Sequence, residues 1–559
     1  MASTPTLLRT PSETTLDEHG HPPPPKPRSP LIGQSDRDRR NTHPYEGYPS
    51  HASTTLSVPL SHNTLPDPEI EAGRVDLEKA KARAQAHAGR KNYVNEKEDP
   101  FEVHLDLKDD PQSLPLFRRW LAVLVISSVG LCVTAASSAG AMTETAIGRE
   151  FGIAHEAAVL TLSLFVLGLA AGPLLAGPCS EIYGRNAVYR VSFVLFFAGN
   201  FGVAFAPNFG CHLAFRFITG CCGSAFLSVA GGSVSDLFPK AEVPTPMAVY
   251  TISPFLGPEV GMVYSGFVNQ HLSWRWTYYI VIMWSFVQLV ALFVFVPETY
   301  TPVLLRRKAA SLRACTGDQR YSAPREHDRP SLAKLLVHAC WTPVQLVAQE
   351  RMVFFIDLWN ALILGILYLL FQAFPIVFGE VHGFAMEMVG LSFLGIAIGM
   401  LLGLATQPLW NERARRYRDK HGDPPPEFDL VMGELGGVLV SASLYWIAFT
   451  TYRFVHWSGP LIGSVPFGAG TYFVFTSSFT YLVTAYRPLA ASALASDTAM
   501  RCAFAAGFPL FAGPMYRRLG TVGATALLAG LTTVMAPLPF IFHKYGAQLR
   551  ARSKFAVAE

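Results

Sequence analysis

Four ionisable residues fall inside long apolar runs of this sequence: Arg216, Glu259, Asp497 and Arg501. A charge in a hydrocarbon environment is costly, so each needs a partner, a watery path or a role in moving charge. Arg216 and Glu259 read as the leading pair. A carboxyl group shielded from water favours its neutral form, and a nearby arginine opposes that. Breaking such a pair would change the affinity for protons, which is a means of coupling proton movement to a change of shape. The alternative is that Glu259 is only a structural partner for an arginine. Asp497 and Arg501 are four residues apart, so they share a helix face and read first as a structural ion pair. Asp357 and Glu434 lie near the ends of their runs and read as solvated entrance residues.

A second group of charges sits in the stretch 172–190, where Gly-Pro pairs are followed by Glu181, Gly184 and Arg185. Between two apolar runs, a loop this short must hold its charges at a membrane face. There Glu181 can meet the positive end of a helix and Arg185 a carboxylate. Gly177, Glu181, Gly184 and Arg185 therefore read as a conformational latch rather than as ligand contacts. Aromatic residues make up 12% of the chain. Tyr368, Phe371 and Phe374, with Gln372 among them, and Tyr472 and Phe475 are candidates to line an apolar pocket. Such a pocket suits amphipathic or flat organic cations; the alternative is packing against lipid. The chain has no phosphate-binding glycine loop, no Cys/His metal spacing and no nucleophile triad. This argues against an ATP-driven pump and an enzyme, and implies no cofactor and no metal. Several of the eight cysteines lie in apolar runs, which makes a disulfide framework improbable on physical grounds. The net charge of +4 resides in loops beside apolar runs, and no nucleic-acid partner is implied.

The elements that must position these residues are membrane helices. Half of the residues are apolar. A bilayer core of about 30 Å needs roughly 20 apolar residues per helix. Twelve stretches qualify, near 119–142, 157–178, 187–207, 211–234, 246–268, 276–297, 352–375, 386–409, 430–450, 458–483, 489–513 and 521–543. The predicted class is an all-α polytopic membrane protein with twelve transmembrane helices in two six-helix halves. Residues 1–116 read as a disordered cytosolic tail, 117–297 as the first half and 298–351 as a cytosolic central loop. Residues 352–543 read as the second half and 544–559 as a cytosolic tail. Lys and Arg cluster in 298–351, 410–429 and the C-terminal tail, which places both termini in the cytosol.

The halves look like a repeat. Pro178 to Arg185 aligns weakly with Pro408 to Arg415, and both segments follow the second helix of their half. Small residues recur every four positions at Gly168, Gly172 and Ala176, at Gly257, Gly261 and Ser265, and at Gly395, Gly399 and Gly403. Such stripes permit close helix approach. They are expected to be static packing or sliding seams between the halves.

The segment Gly177-Pro178-Cys179-Ser180-Glu181-Ile182-Tyr183-Gly184-Arg185 resembles the signature loop between helices 2 and 3 of the major facilitator superfamily of transporters, in the wording of its fungal drug:proton antiporter branch. Arg216 to Gly220 is similar to the family's Arg-xxx-Gly pattern. The run Pro254, Gly257, Pro258, Glu259 and Gly261 is similar to its antiporter motif. Trp274 to Thr277, Pro297 to Tyr300 and Tyr486 to Ser492 add to the resemblance, which covers about 110–559. The sequence departs from the pattern at Cys179, Asn186, Met262, Asp497 and Gln372, the last where the resemblance implies glutamate. The resemblance implies alternating access and proton-driven efflux of small organic compounds such as drugs, polyamines or secondary metabolites. It implies a monomer in the plasma membrane, with protons, a small organic substrate and the lipid bilayer as partners. A nutrient importer and a non-transporting sensor of the same fold are the alternatives.

Overall fold

The computed structural model describes residues 101–106, 109–239, 242–324, 332–422, 424–551, 553 and 555. The described chain is helical, with one isolated pairing of extended backbone between Glu102 and Ser322. Nine described stretches combine the length and apolarity needed to cross a membrane. One of these, Ala490–Arg550, holds two spans, because Gly520 takes φ +71° and ψ 169° and breaks the helix. Two further helices of 28 residues, Pro244–His271 and Ser458–Ala485, are also long enough. At 1.5 Å per residue each reaches roughly 42 Å.

The twelve spans are thus span 1 (Leu116–Ala139), span 2 (Leu160–Tyr183), span 3 (Arg185–Ala204), span 4 (Phe209–Leu237), span 5 (Pro244–His271) and span 6 (Arg275–Phe295). The second half holds span 7 (Arg351–Phe374), span 8 (386–405), span 9 (Leu430–Thr450), span 10 (Ser458–Ala485), span 11 (490–519) and span 12 (521–535). Spans 1 and 5, 2 and 4, 7 and 11, and 8 and 10 pack inside their own halves. Span 2 meets span 11 and span 5 meets span 8 across the halves.

The membrane face that carries the basic segments is called here the basic face. The central segment on this face is largely helical, with Thr301–Thr316 and Leu332–Gln349. The reading of 1–116 as a disordered tail lies mostly outside the described residues. Within them, the segment from Phe101 packs on the first central helix. Val103 is buried with Ala309 and Ala323, and its N–H donates to the Ser322 carbonyl at 3.0 Å. Lys308 reaches Asp106 and Asp109, and the Asp106 hydrogen bond holds its ammonium above the ordinary range. The C-terminal segment also begins as helix. Leu538–Arg550 runs past residue 544, and Arg550 is buried in an ion pair with Glu427 at 2.7 Å.

One local expectation is corrected, and one pair of alternatives is decided in favour of static packing. The Gly-Pro pairs do not end span 2, which continues through Pro173 and Pro178 to Tyr183. A proline forfeits one hydrogen bond, and buried neighbours and hydroxyls make this tolerable in membrane helices; here Ser180 Oγ donates to the Gly177 carbonyl at 2.7 Å. The small-residue stripes are packing surfaces inside each half rather than seams between them. A Cβ at Gly168 or Gly172 would strike span 4 at Phe217, Cys221 or Ser224. At Gly257 or Gly261 it would strike span 1 at Leu131, Thr134 or Ala135, and Ser265 Oγ donates to Ala139 on span 1 at 2.8 Å. At Gly395 and Gly399 it would strike span 10. Dispersion and shape, not hydrophobicity, hold helices together in lipid, so the closest approaches serve the permanent contacts. The close contact between the halves is at Gly266 of span 5 and Gly390 of span 8.

Candidate functional site

The two halves meet along a seam that can be followed from the far face to the basic face. At the far face, Arg517 pairs with Glu156 at 2.6 Å and His271 with Glu387 at 2.9 Å. Deeper in, the buried Gln372 of span 7 donates to both oxygens of Glu144, at 2.8 and 3.0 Å. Glu144 is buried just beyond the end of span 1, and His155 lies 3.9 Å away, half exposed. Below it, the hydroxyls of Ser137 and Tyr368 join spans 1 and 7 at 3.0 Å. Further towards the basic face, Phe255 of span 5 stacks on Phe475 of span 10 at 4.6 Å, with Phe479 beside them. These pairs break if the halves rock apart.

The structure does not join Arg216 to Glu259. Arg216 is fully buried, and its three donor groups go to backbone. Nη1 donates to Ala136 O at 2.8 Å, Nη2 to Ser137 O at 3.0 Å and Nε to Thr161 O at 2.9 Å. Ala136 and Ser137 lie in the last turn of span 1, whose carbonyls have no helical partners of their own. Arg216 is therefore a cap on that helix end, where a positive charge is favoured. Its guanidinium also lies over the Phe165 ring at 4.5 Å. Glu259 is fully buried in the interior of span 5, and both its carboxyl oxygens lack a hydrogen-bond partner. About fifteen residues separate it from the start of span 5, or roughly 22 Å of helix. A bare ionised carboxylate is costly in a dry interior, so the burial of Glu259 without a partner marks it as a group whose charge matters.

Asp497 and Arg501 do come together, with Nε to Oδ2 at 2.7 Å. Asn360 of span 7 donates to the other oxygen, Oδ1, at 2.7 Å. Asp357 is fully buried within electrostatic reach of both, not solvated at an entrance. Arg501 also lies over Phe479 at 4.8 Å and Phe475 at 5.4 Å, so it caps the aromatic closure between the halves. Glu434 sits nearer the basic face and meets His543 at 2.8 Å.

The latch residues are rearranged relative to expectation. Gly184 is the whole turn between spans 2 and 3, with φ +99°, and a side chain there would strike the Glu298 carboxylate. Arg185 meets Asp236 at the end of span 4 (3.4 Å), Ser180 Oγ (2.7 Å) and the Tyr300 ring (4.7 Å). Glu298 Oε1 accepts from the backbone N–H of Arg185, Thr299 and Tyr300, each at 3.0 Å. It thereby caps span 3 with a negative charge at its positive end. The Glu181 side chain is exposed; its carbonyl accepts from Arg306 at 3.5 Å. Glu298 thus holds the position at a helix N-terminus that the spacing suggested for Glu181. A Cβ at Gly177 would meet nothing.

Of the six aromatic-pocket candidates, Tyr368, Gln372 and Phe475 touch the other half. Phe371 and Phe374 pack on Phe393 of span 8, at 5.4 and 4.8 Å. Tyr472 donates to Gln407 Oε1 at 2.9 Å inside its own half. Pro254, Gly257, Pro258 and Gly261 lie within span 5. There the Pro258 carbonyl accepts from Ser138 Oγ at 2.7 Å. Sequence reasoning passed over Glu144, Asp236 and Asn360 as site residues. Glu144 lies two residues beyond the predicted end of the first run, and its acidity there was the available signal. Glu298 was noticed only as part of a motif.

Comparison with known proteins adds the following. The family description "Major Facilitator Superfamily" matches residues 124–509. The chain is 40% identical over 520 residues to the efflux pump atB of Aspergillus terreus, covering 91% of this chain and 98% of that protein. It is 38% identical over 454 residues to the probable drug/proton antiporter YHK8 of Saccharomyces cerevisiae, covering 81% and 88%. Among solved structures, the xylose transporter XylE of E. coli in a partially occluded inward-open conformation matches with a TM-score of 0.53 at 15% identity. That match covers 76% of this chain and 99% of XylE.

Proposed function

The chain belongs to the Major Facilitator Superfamily, and from that premise we propose that it exports small organic compounds in exchange for protons by alternating access. It is a multi-pass membrane transporter rather than an enzyme. The export direction is supported by the relatives named as efflux pump and drug/proton antiporter. Proton coupling rests on Glu259, a buried carboxyl group with no partner in the interior of span 5. When the site opens to the cytosol and a cationic substrate reaches it, Glu259 releases its proton there; once the substrate has left on the far side, Glu259 takes a proton up from that side and the empty, protonated site returns. Substrates of flat, amphipathic or cationic character suit the Phe255–Phe475–Phe479 cluster. Drugs, polyamines and secondary metabolites all fall in that range. The latch around Arg185, Asp236 and Glu298 tunes the balance between the two faces, and the Asp497–Arg501 pair braces the same aromatic cluster.

The test is flux in proteoliposomes with an imposed pH gradient and a panel of amphipathic cations. Movement of compound against its own gradient, opposite to proton flow, is expected. Movement in the direction of proton flow would make the protein an importer. Binding without flux would make it a sensor.

The basic face is taken as cytosolic, with both termini there and the protein in the plasma membrane. Lys and Arg at 306–308 and 413–420 support that orientation. A glycosylation tag beside Glu380 should be modified in cells, and one beside Arg320 should not. The reverse pattern would invert the orientation.

A further inference from the structure

A groove of about 520 Å³ opens at the basic face between the two halves, lined by none of the seam residues described above. One wall comes from the first half: Leu116 and Trp120 at the start of span 1, Phe238 and Glu242 after span 4, and Pro244 and Pro246 at the start of span 5. The other wall is the helix Gln407–His421, which follows span 8 and presents Asn411, Ala414, Arg415 and Arg418. These four positions recur at intervals of three and four, so they form one face of that helix. The helix is strongly basic: Arg413, Arg415, Arg416, Arg418 and Lys420 stand against Glu412 and Asp419. Glu412 meets Arg415 at 3.7 Å and Arg416 at 3.0 Å. The acid of the opposite wall, Glu242, is balanced by Arg119 at 3.6 Å. Arg119 lies over the Phe238 ring at 5.1 Å, and Trp120 packs edge-on against the same ring at 5.7 Å.

The first wall, at the basic-face ends of spans 1, 4 and 5, is mainly apolar and aromatic, and the second is cationic. That combination fits one ligand chemistry. We propose that the groove binds an anionic phospholipid of the cytosolic leaflet. Its phosphate and carboxylate would meet Arg415 and Arg418, and its glycerol and upper acyl chain would lie on Leu116, Trp120, Pro244 and Pro246. Anionic lipids concentrate at that leaflet and attract basic juxtamembrane segments. The volume lies within the roughly 300–1,000 Å³ common for small-molecule sites. Because the two walls belong to different halves, a lipid seated there wedges them apart on the basic face. It therefore favours the state open to the cytosol.

This rests on the cytosolic placement of the basic face, which the glycosylation tags test separately, and it is read by binding rather than by transport. The full chain is reconstituted in nanodiscs of phosphatidylcholine with about one-fifth phosphatidylserine, a composition chosen to supply anionic headgroups. The lipids retained after detergent extraction are then counted by native mass spectrometry. Wild type should retain phosphatidylserine several-fold over its share of the mixture. The double variant R415Q/R418Q should lose that preference, whereas R453Q, at an exposed arginine of the far-face loop after span 9, should keep it. Soluble glycerophosphoserine at the same concentration should fail to displace the retained lipid. No preference in wild type, or an undiminished preference in R415Q/R418Q, would overturn the proposal. Ready displacement by glycerophosphoserine would overturn the lipid as the ligand and leave a site for soluble phosphates.

Discussion

Arg216→Met should yield a protein that reaches the membrane in reduced amount and melts in detergent roughly 4 °C below wild type. The cause is the end of span 1. Arg216 donates to Ala136 and Ser137 in its last turn and to Thr161 at the start of span 2. In a bilayer no water replaces those donors, and an unsatisfied backbone carbonyl costs several kcal/mol. Hydrogen bonds to a charged donor contribute about 1.5–3 kcal/mol each. Removing the buried charge returns part of that, so a net loss of about 3–5 kcal/mol is expected. Arg216→Lys keeps the charge but not the fork of five N–H groups, and should fall between the two. Thermal melting of purified variants measures this. A variant Arg216→Met that melts like wild type yet cannot use a pH gradient would make Arg216 a coupling residue instead of a cap.

Glu259→Gln should abolish accumulation driven by a pH gradient while sparing downhill exchange of substrate. Glutamine keeps the volume of the side chain and cannot bind or release a proton, so the empty and loaded states lose their difference in charge. Both oxygens of Glu259 are buried without partners, so no ion pair is broken by the change and the fold should hold. Glu259→Asp should retain part of the activity with a displaced pH optimum. Flux in vesicles with and without a gradient separates these outcomes. If Glu259→Gln still concentrates substrate, the coupling acid lies elsewhere. Glu144 is then the first alternative, because it is buried on the seam, bonded to Gln372 of the other half and 3.9 Å from the half-exposed His155. Asp497 and Asp357 follow. Glu434 is weaker, because its histidine partner ties it to the basic face.

Gln372 illustrates the limits of motif reading. A glutamine stands where the family resemblance implies glutamate. In the folded chain Gln372 faces Glu144, so the carboxylate of that contact is present but arrives from the short helix after span 1. The two residues are more than two hundred positions apart, and no spacing rule connects them.

What the sequence alone determined was the number of spans and their order. The reason is that a helix in lipid satisfies its backbone within itself, so a run of about 20 apolar residues is sufficient evidence for it. It also determined contacts one turn apart, as at Asp497 and Arg501, because helical geometry places residues four apart on the same face. The glycines of Gly257–Gly261 and the charges at Arg216, Glu259 and Glu181 were visible as unusual residues, but their partners were not. A membrane helix is apolar all round, so its sequence carries no polar face to say which side meets lipid and which a neighbour. Only the tertiary structure decided that Arg216 caps span 1, that Glu298 rather than Glu181 caps span 3, and that the glycine stripes pack within each half. Those choices depend on close fit and on donors and acceptors brought together from distant parts of the chain, which local composition does not encode.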